Sequence, residues 1–428
     1  MTVEQPVSST SGDLLSGLAL PQGGKWIQTA RHDALSRTQA MGLPIRRDEY
    51  WKFTDPRSLT QADTIRSDSF EAADQAGFQN VDQLRIVFVD GRFDADASDD
   101  LMQTGLEIER LEDVAKADIH WAQDVFGALE AKGQSPVARP LASFNTATAS
   151  DGILIRATGK VERPVSIVYL HEDAFADANL HHAIKVESGG EVTVLESGPA
   201  AARLNTVMEI DVAPGATFHH VRLQGRDHNR RAATHMFARL GEESTYKSFT
   251  LTANGVLTRN EQVVEFVGDN GVAHVAGAAL GDGDFHHDDT VFVTHDAVAC
   301  ESRQVFKKVL RNGATGVFQG KILVQPGAQQ TDGYQISQSL LLDDDSQFLA
   351  KPELEIYADD VACSHGSTSG AIDEDALFYL KSRGVPTGEA QDLLVLAFLA
   401  EAIDEVENAA LAEDILARLQ AWLARHRT

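Results

Sequence analysis

The spacing of apolar residues changes twice along this chain. From Lys25 to Met41 they recur at helical intervals (Trp26, Ala30, Ala34, Leu35, Met41), and Gly42 with Pro44 supply a stop, so a helix is expected there. Residues 1–24, rich in Ser, Gly and Thr near the start and without a period, read as a mobile tail. An apolar run at Leu84–Val89 that meets Asp90-Gly91 predicts a strand ending in a turn, and a second helix is expected over Leu111–Ala131. Residues 25–135 are thus expected to form a mainly helical N-terminal domain.

From Val137 the texture becomes short β-rich runs, such as Gly152-Ile-Leu-Ile-Arg, Val165-Ser-Ile-Val-Tyr-Leu and Glu191-Val-Thr-Val-Leu, divided by Gly, Asn and Asp turns. Turn-then-strand phrases start at Gly190, Gly215, Gly241 and Asn270, roughly 25 to 30 residues apart, a spacing that suggests solenoid coils over residues 136–369. The helical period returns at Asp373. Three acids (Asp373, Glu374, Asp375) open a helix, Lys381 and Arg383 close it, and Gly384 and Pro386 end it. Two longer helices follow, from Thr387 to about Glu407 and from Ala410 to His426. Leu393, Leu394, Leu396, Ala397, Ala400 and Ile403 read as an apolar face that needs the core or a partner to cover it. Residues 370–428 are the expected C-terminal helical domain.

Composition narrows the function classes. The chain has 428 residues, 43% of them apolar, enough for a sizeable core, and a formal net charge of −27. That charge repels phosphate backbones and anionic lipid, so neither nucleic acid nor a membrane surface is an expected partner. Met1–Leu15 lack the cations and apolar stretch of a secretory signal, and Leu393–Ala400 is far shorter than a membrane span, so the expected location is the cytoplasm. Two cysteines, Cys300 and Cys363, exclude a disulfide framework and cannot alone supply the four thiolates of a cluster site.

Several motifs invite chemistry. Gly316-Val-Phe-Gln-Gly-Lys-Ile lacks the Walker spacing and reads as a turn between strands, so ATP hydrolysis would belong to another chain. The pairs His181-His182, His219-His220 and His286-His287 suggest a His-rich metalloenzyme. Adjacent strand residues face opposite ways, however, so one of each pair at most could enter a common site, and the plainer reading is solvated or core-edge histidine. Asp282, Asp284, Asp288 and Asp289 could furnish the carboxylates of a carbohydrate-active β-solenoid, a reading that rests on fold analogy alone. The segment Pro352–Gly366 reads as one strand with Leu354, Ile356, Ala358 and Ala362 on its buried face. Cys363 and His365 would then point outward together, where a thiolate and an imidazole can approach one ion.

Gly320-Lys-Ile, Ala328-Gln-Gln-Thr-Asp-Gly-Tyr-Gln, Leu340-Leu-Leu, Lys351-Pro-Glu-Leu-Glu-Ile and Cys363-Ser-His-Gly follow one another in an order that resembles the SufB/SufD family of the SUF iron–sulfur cluster assembly system. The similarity continues through Gly366-Ser-Thr-Ser-Gly and Leu377-Phe-Tyr-Leu-Lys-Ser-Arg-Gly, and reaches back to Gly42-Leu-Pro and Asp48-Glu-Tyr-Trp-Lys-Phe-Thr. The low cysteine count favours the partner of SufB over a SufB-like paralogue. The resemblance implies a mainly β chain: a right-handed parallel β-helix (β-solenoid) core flanked by N-terminal and C-terminal helical domains. It further implies a non-catalytic scaffold that pairs with SufB and binds the SufC ATPase through its C-terminal helices. His365 and Cys363 match the family's interfacial histidine and its neighbouring cysteine. They would form a shared site for a nascent iron–sulfur cluster that the chain alone does not hold stably. Flavin binding, and a homodimer of the isolated chain, are left open.

Overall fold

The computed structural model describes residues 15, 18–69, 77–225 and 229–427, so the tail expected over residues 1–24 falls largely outside it. Among the described residues nineteen strands form the two sheets of a β-solenoid, and from the fourth strand onward the even-numbered strands lie in one sheet and the odd-numbered in the other, all parallel. The odd sheet runs from β5 (Val165–Leu170) to β19 (Val361–Gly370), the even sheet from β4 (Ile153–Ala157) to β18 (Gln347–Ile356). Arg231 pairs with Leu257 and Thr258 with His287, so one turn takes 26 to 29 residues here, close to the spacing of the turn phrases. Strand alternation then sends every second side chain inward. Ile184, Met208, Phe218, Tyr246, Val291, Phe306 and Phe318 stack into one apolar interior.

Helical segments cover both outer faces. On the even sheet, α1 (Lys25–Met41) brings Trp26 and Ile27 into a cluster with Phe126, Leu129, Leu154, Ala183, Val207 and Phe237. The following turn places Tyr50–Thr54 against strands nearer the far end. On the odd sheet, Val395, Leu399, Ile415, Leu419 and Trp422 pack on Leu251, Val305, Val309 and Leu340.

The ends of the solenoid differ. At the first, β1 (Leu84–Val89) extends the odd sheet in parallel with β5 and is itself covered by antiparallel β2 (Arg92–Asp94), while β3 (Leu106–Arg110) closes β4 antiparallel. At the other, β18 and β19 each have a neighbour on one side only.

Several expectations need correction. Leu111–Ala131 is not one helix but short turns at Leu111–Val114, Trp121–Asp124 and Ala128–Lys132. The His120 ring accepts the Ala122 N–H, and Gly127 at φ 72° fixes a left-handed break. The region from Val137, read as short β-rich runs divided by turns, includes a helix, α2 (Pro140–Thr148), with proline in its first turn. Gly316–Ile322 is no turn: it lies within β16 (Thr315–Val324), its glycines beside packed side chains rather than at a bend.

The C-terminal helices α3 (Glu374–Ser382), α4 (Thr387–Ile403) and α5 (Ala409–Arg425) stand close to their expected limits, α3 capped by the Asp373 carboxylate and α5 by Asn408. The buried face of α4 is rotated from the expected one, however. Ala390, Val395, Leu399, Ala402 and Ile403 face the sheet, and Leu393, Ala397 and Ala400 are exposed. No helix among the described residues is long and apolar enough to cross a membrane.

Candidate functional site

Pro352–Gly366 is not one strand but the end of β18, a corner at Tyr357–Asp360 with Ala358 buried, and the start of β19 on the other sheet. The corner changes the register. In β17 (Thr331–Leu341), Gly333, Gln335, Ser337 and Ser339 are all buried, which marks the odd positions as inward. Cys363 pairs with Gly333, His365 with Gln335, Ser367 with Ser337 and Ser369 with Ser339, so Cys363 and His365 share the inward column rather than pointing out of the solenoid. They meet solvent for another reason: no further turn lies above them.

Cys363 is half-buried among Ile322, Val324, Leu354 and Val361, and burial pushes its thiol above the ordinary range. A Cβ on Gly333 would approach its Sγ to 3.2 Å, so glycine leaves the room in which the thiol sits. His365 is exposed, and among the described residues no hydrogen bond holds either ring nitrogen. Ser337 donates to Ser367 at 3.1 Å and Ser339 to Ser369 at 3.0 Å, extending a hydroxyl ladder to the edge. The facing strand is apolar on its inward column: Phe348, Ala350, Pro352, Leu354 and Ile356 pair with Gly316, Phe318, Gly320, Ile322 and Val324. The open end is therefore half polar and half apolar. It offers one sulfur and one imidazole donor, a pair suited to iron but short of a full coordination sphere.

The outward column of β18 is anchored from the N-terminal segment. The Tyr50 hydroxyl donates to Glu353 at 2.5 Å, and Lys351 donates to Glu49 at 2.7 Å and lies 4.0 Å from the Tyr50 ring centroid. Burial, then the Glu353 carboxylate, raises the Tyr50 phenol well above its ordinary range, while the Lys351 ammonium lowers Glu49. The Tyr50 carbonyl accepts from Arg259 at 2.8 Å and Gln319 at 3.0 Å, and the Arg259 guanidinium stacks 4.1 Å from the Trp51 ring centroid. The phrase Asp48–Thr54 thus props the edge strand from outside.

The other candidates resolve into structure. As expected, members of each histidine pair face opposite ways; His181, His182, His220 and His287 are buried, while His219 and His286 lie at the core edge, partly exposed. His182 meets Tyr169 at 3.0 Å, and Tyr169 donates to Glu196 at 2.7 Å. Glu196 also accepts from His220 and Arg222, at 2.7 and 2.8 Å. From Arg222 the file passes through Thr234 and Asn260 to His287, Lys308 and Asp289. Asp288 binds Arg259 and Thr54, and Asp282 pairs with Arg311, so these carboxylates are occupied in ion pairs and hydrogen bonds. Cys300 is buried in the apolar interior, its thiol also pushed up by burial. Among the described residues no group of three or more His, Cys, Asp or Glu gathers to hold a metal.

Comparison with known proteins matches residues 169–398 to the model described as SUF system FeS cluster assembly, SufBD core domain, and residues 22–167 to the SufBD protein N-terminal region. The chain is 28% identical to the iron–sulfur cluster assembly protein SufD of Escherichia coli over 88% of its own length and 89% of the relative's. It is likewise 28% identical to an iron–sulfur cluster assembly SufBD family protein of Synechocystis, over 89% and 88%. Similarity to SufD of Bacillus subtilis, at 27%, covers 58% of each chain.

Proposed function

The chain belongs to the SufBD family of the SUF iron–sulfur cluster assembly system, and from that premise we propose that it is a SufD-like, non-catalytic scaffold subunit whose open solenoid end pairs with SufB. One observation carries this reading: both sheets stop at ten-residue strands paired on one side only, and the inward column of one of them ends in Cys363 and His365. A long unpaired edge is a template for another strand, and a second solenoid set against it supplies the missing layer. His365 then gives a neutral imidazole to the iron of the nascent cluster, Cys363 lies beside it, and the partner provides the remaining donors. The cluster is cargo, assembled at the junction and passed on.

The C-terminal helices are the second docking surface in this reading. Phe378 and Tyr379 on α3 are 73% and 57% exposed, and Leu393 on α4 is 50% exposed, an apolar set on the side away from the sheet that suits the SufC ATPase. When two ATP-bound SufC subunits dimerise, the pull on α3–α5 reaches the solenoid through their packing on Val305 and Leu340, and through Lys307–Glu401, Lys247–Glu407 and His274–Glu405. Such a machine belongs in the cytoplasm.

The test is anaerobic cluster reconstitution of the complex co-expressed with SufB and SufC, comparing wild type with His365→Ala by iron content and visible absorption. Loss of cluster from an intact complex is expected; an unchanged yield would remove His365 from the site. In the same complex, Phe378→Asp with Leu393→Asp is expected to abolish SufC co-purification while SufB stays bound, and retained SufC would overturn the docking face.

A further inference from the structure

The glutamine directly beneath His365 has an unusual position. Gln335 is fully buried on the inward column of β17, and its Nε2 donates to Gln304 Oε1 at 2.8 Å, one turn further in. Its Oε1 has no partner among the described residues. A buried carbonyl left unpaired costs stability, so its retention calls for an explanation. The surrounding sequence makes room for it: a Cβ on Gly320, across the interior, would lie 2.3 Å from Gln335 Nε2, so glycine at 320 leaves the amide its present place. Gln335 and His365 are register partners on adjacent parallel strands, about 4.8 Å apart, with side chains on the same face.

We propose that Gln335 is a positioning residue for His365: when the exposed ring turns over its strand neighbour, the free Oε1 accepts the N–H of one imidazole nitrogen, fixing the tautomer and leaving the other nitrogen's lone pair toward the open end. The inference rests on reading His365 as an iron ligand and extends it one shell inward. A ligating imidazole is ordinarily held through its second ring nitrogen by a carbonyl or carboxylate, and that hydrogen bond selects which nitrogen is left for the metal. The Gln304–Gln335 stack supplies such a carbonyl from a buried, pre-set amide. It also gives Gly320, Gly333 and Gln335, all within the phrases that mark this chain's family, a shared task in building the floor under the inward column.

The test reads the imidazole itself, with no cluster present. Long-range 1H–15N correlation on the full chain labelled at histidine reports the His365 tautomer in wild type, Gln335→Leu, Gln335→Met and Gln335→Glu. Wild type and Gln335→Glu, which keeps an acceptor oxygen, are expected to hold one dominant tautomer. The two apolar variants are expected to shift the tautomer ratio at least threefold, and Met keeps the measurement alive should Leu fail to fold. In the reconstituted complex with SufB and SufC, iron retention should fall in Gln335→Leu by less than in His365→Ala, with no additional loss in the double variant. A tautomer that does not move in the Leu or Met variant overturns the positioning role whatever the iron does. A tautomer that moves while His365→Ala leaves the iron unchanged overturns the ligand reading on which it rests.

Discussion

The two ends of the solenoid are built from the same unit and finished differently. At the first end, β2 and β3 turn antiparallel, and Phe88 in β1 is fully buried against Phe93 and Tyr169. At the other, the inward column simply continues to the last strands, where Cys363 is half-buried and His365 exposed. The residue types at that end are ordinary for the interior; what is missing is the next layer. Exposure there reflects an unfinished stack rather than a polar surface, and an unfinished stack of ten-residue strands is a place for a second chain.

The largest effect should separate the ends by what they stabilise. Phe88→Ala opens a cavity in a finished layer and is expected to cost about 3–5 kcal/mol of unfolding free energy, read by urea denaturation of the chain alone. Ile356→Asp, at a position already 40% exposed on the edge strand, should change that quantity by less than about 1 kcal/mol. It should weaken association with SufB at least tenfold, because it sets a charge in the layer the partner must cover. Equal losses of stability from the two changes would mean that the open end is a closed core after all.

A smaller effect comes from a histidine enclosed near the closed end. His182 lies on the inward face near the closed end, its Nε2 meeting the Tyr169 hydroxyl and its Nδ1 accepting the Ile153 N–H at 3.1 Å. Burial lowers its pKa to about 4, a shift that the nearby Glu196 carboxylate only partly offsets. Between pH 6.5 and about 4 the unfolded chain binds a proton there that the folded chain does not, so stability falls as pH drops through that window. The loss is about 1.4 kcal/mol per pH unit, or about 2 kcal/mol by pH 5. Glu196, held well below the usual carboxylate range, keeps its contribution until lower pH. Urea denaturation at pH 7, 6 and 5 should therefore show His182→Gln losing about 2 kcal/mol less than wild type on acidification. Parallel curves for wild type and His182→Gln would contradict the buried neutral imidazole.

Much of this architecture was legible in the chain. The repeat of turn phrases predicted coils, and the pairing register bears that out, because each coil must return its apolar face to the same interior. The helices from Lys25 and Glu374 carry local stop signals that tertiary contacts did not override. The misreadings share a cause. Alternation cannot reveal a corner, so Pro352–Gly366 looked like one strand, and the parity carried across Ala358 assigned Cys363 and His365 to the wrong face. Likewise the helical period of α4 is apolar nearly all round, so the sequence did not single out the Val395–Leu399 face over the Leu393–Ala397 face. Gln335 was missed although the strict alternation of Gly333, Gln335, Ser337 and Ser339 was visible, because small and polar residues do not announce a buried column.

The two cysteines offer the mildest and most local probe of the difference between an enclosed layer and the open one. Both are lone thiols pushed up by burial, so both should react with iodoacetamide more slowly than a free thiol at pH 7. Cys300 is enclosed by the stack, with its Sγ 3.4 Å from the Gly268 carbonyl, and can react only when the solenoid opens. Cys363 needs no unfolding, only the approach of reagent to the open end. In the native chain alone Cys363 should therefore be alkylated first, by at least tenfold, as followed by intact mass and peptide mapping. Adding SufB should slow Cys363 at least tenfold and leave Cys300 where it was, since only one of the two lies in the layer that a partner completes. Cys300 reacting first, or Cys363 reacting at the same rate with SufB bound, would mean that the partner covers some other face of the solenoid.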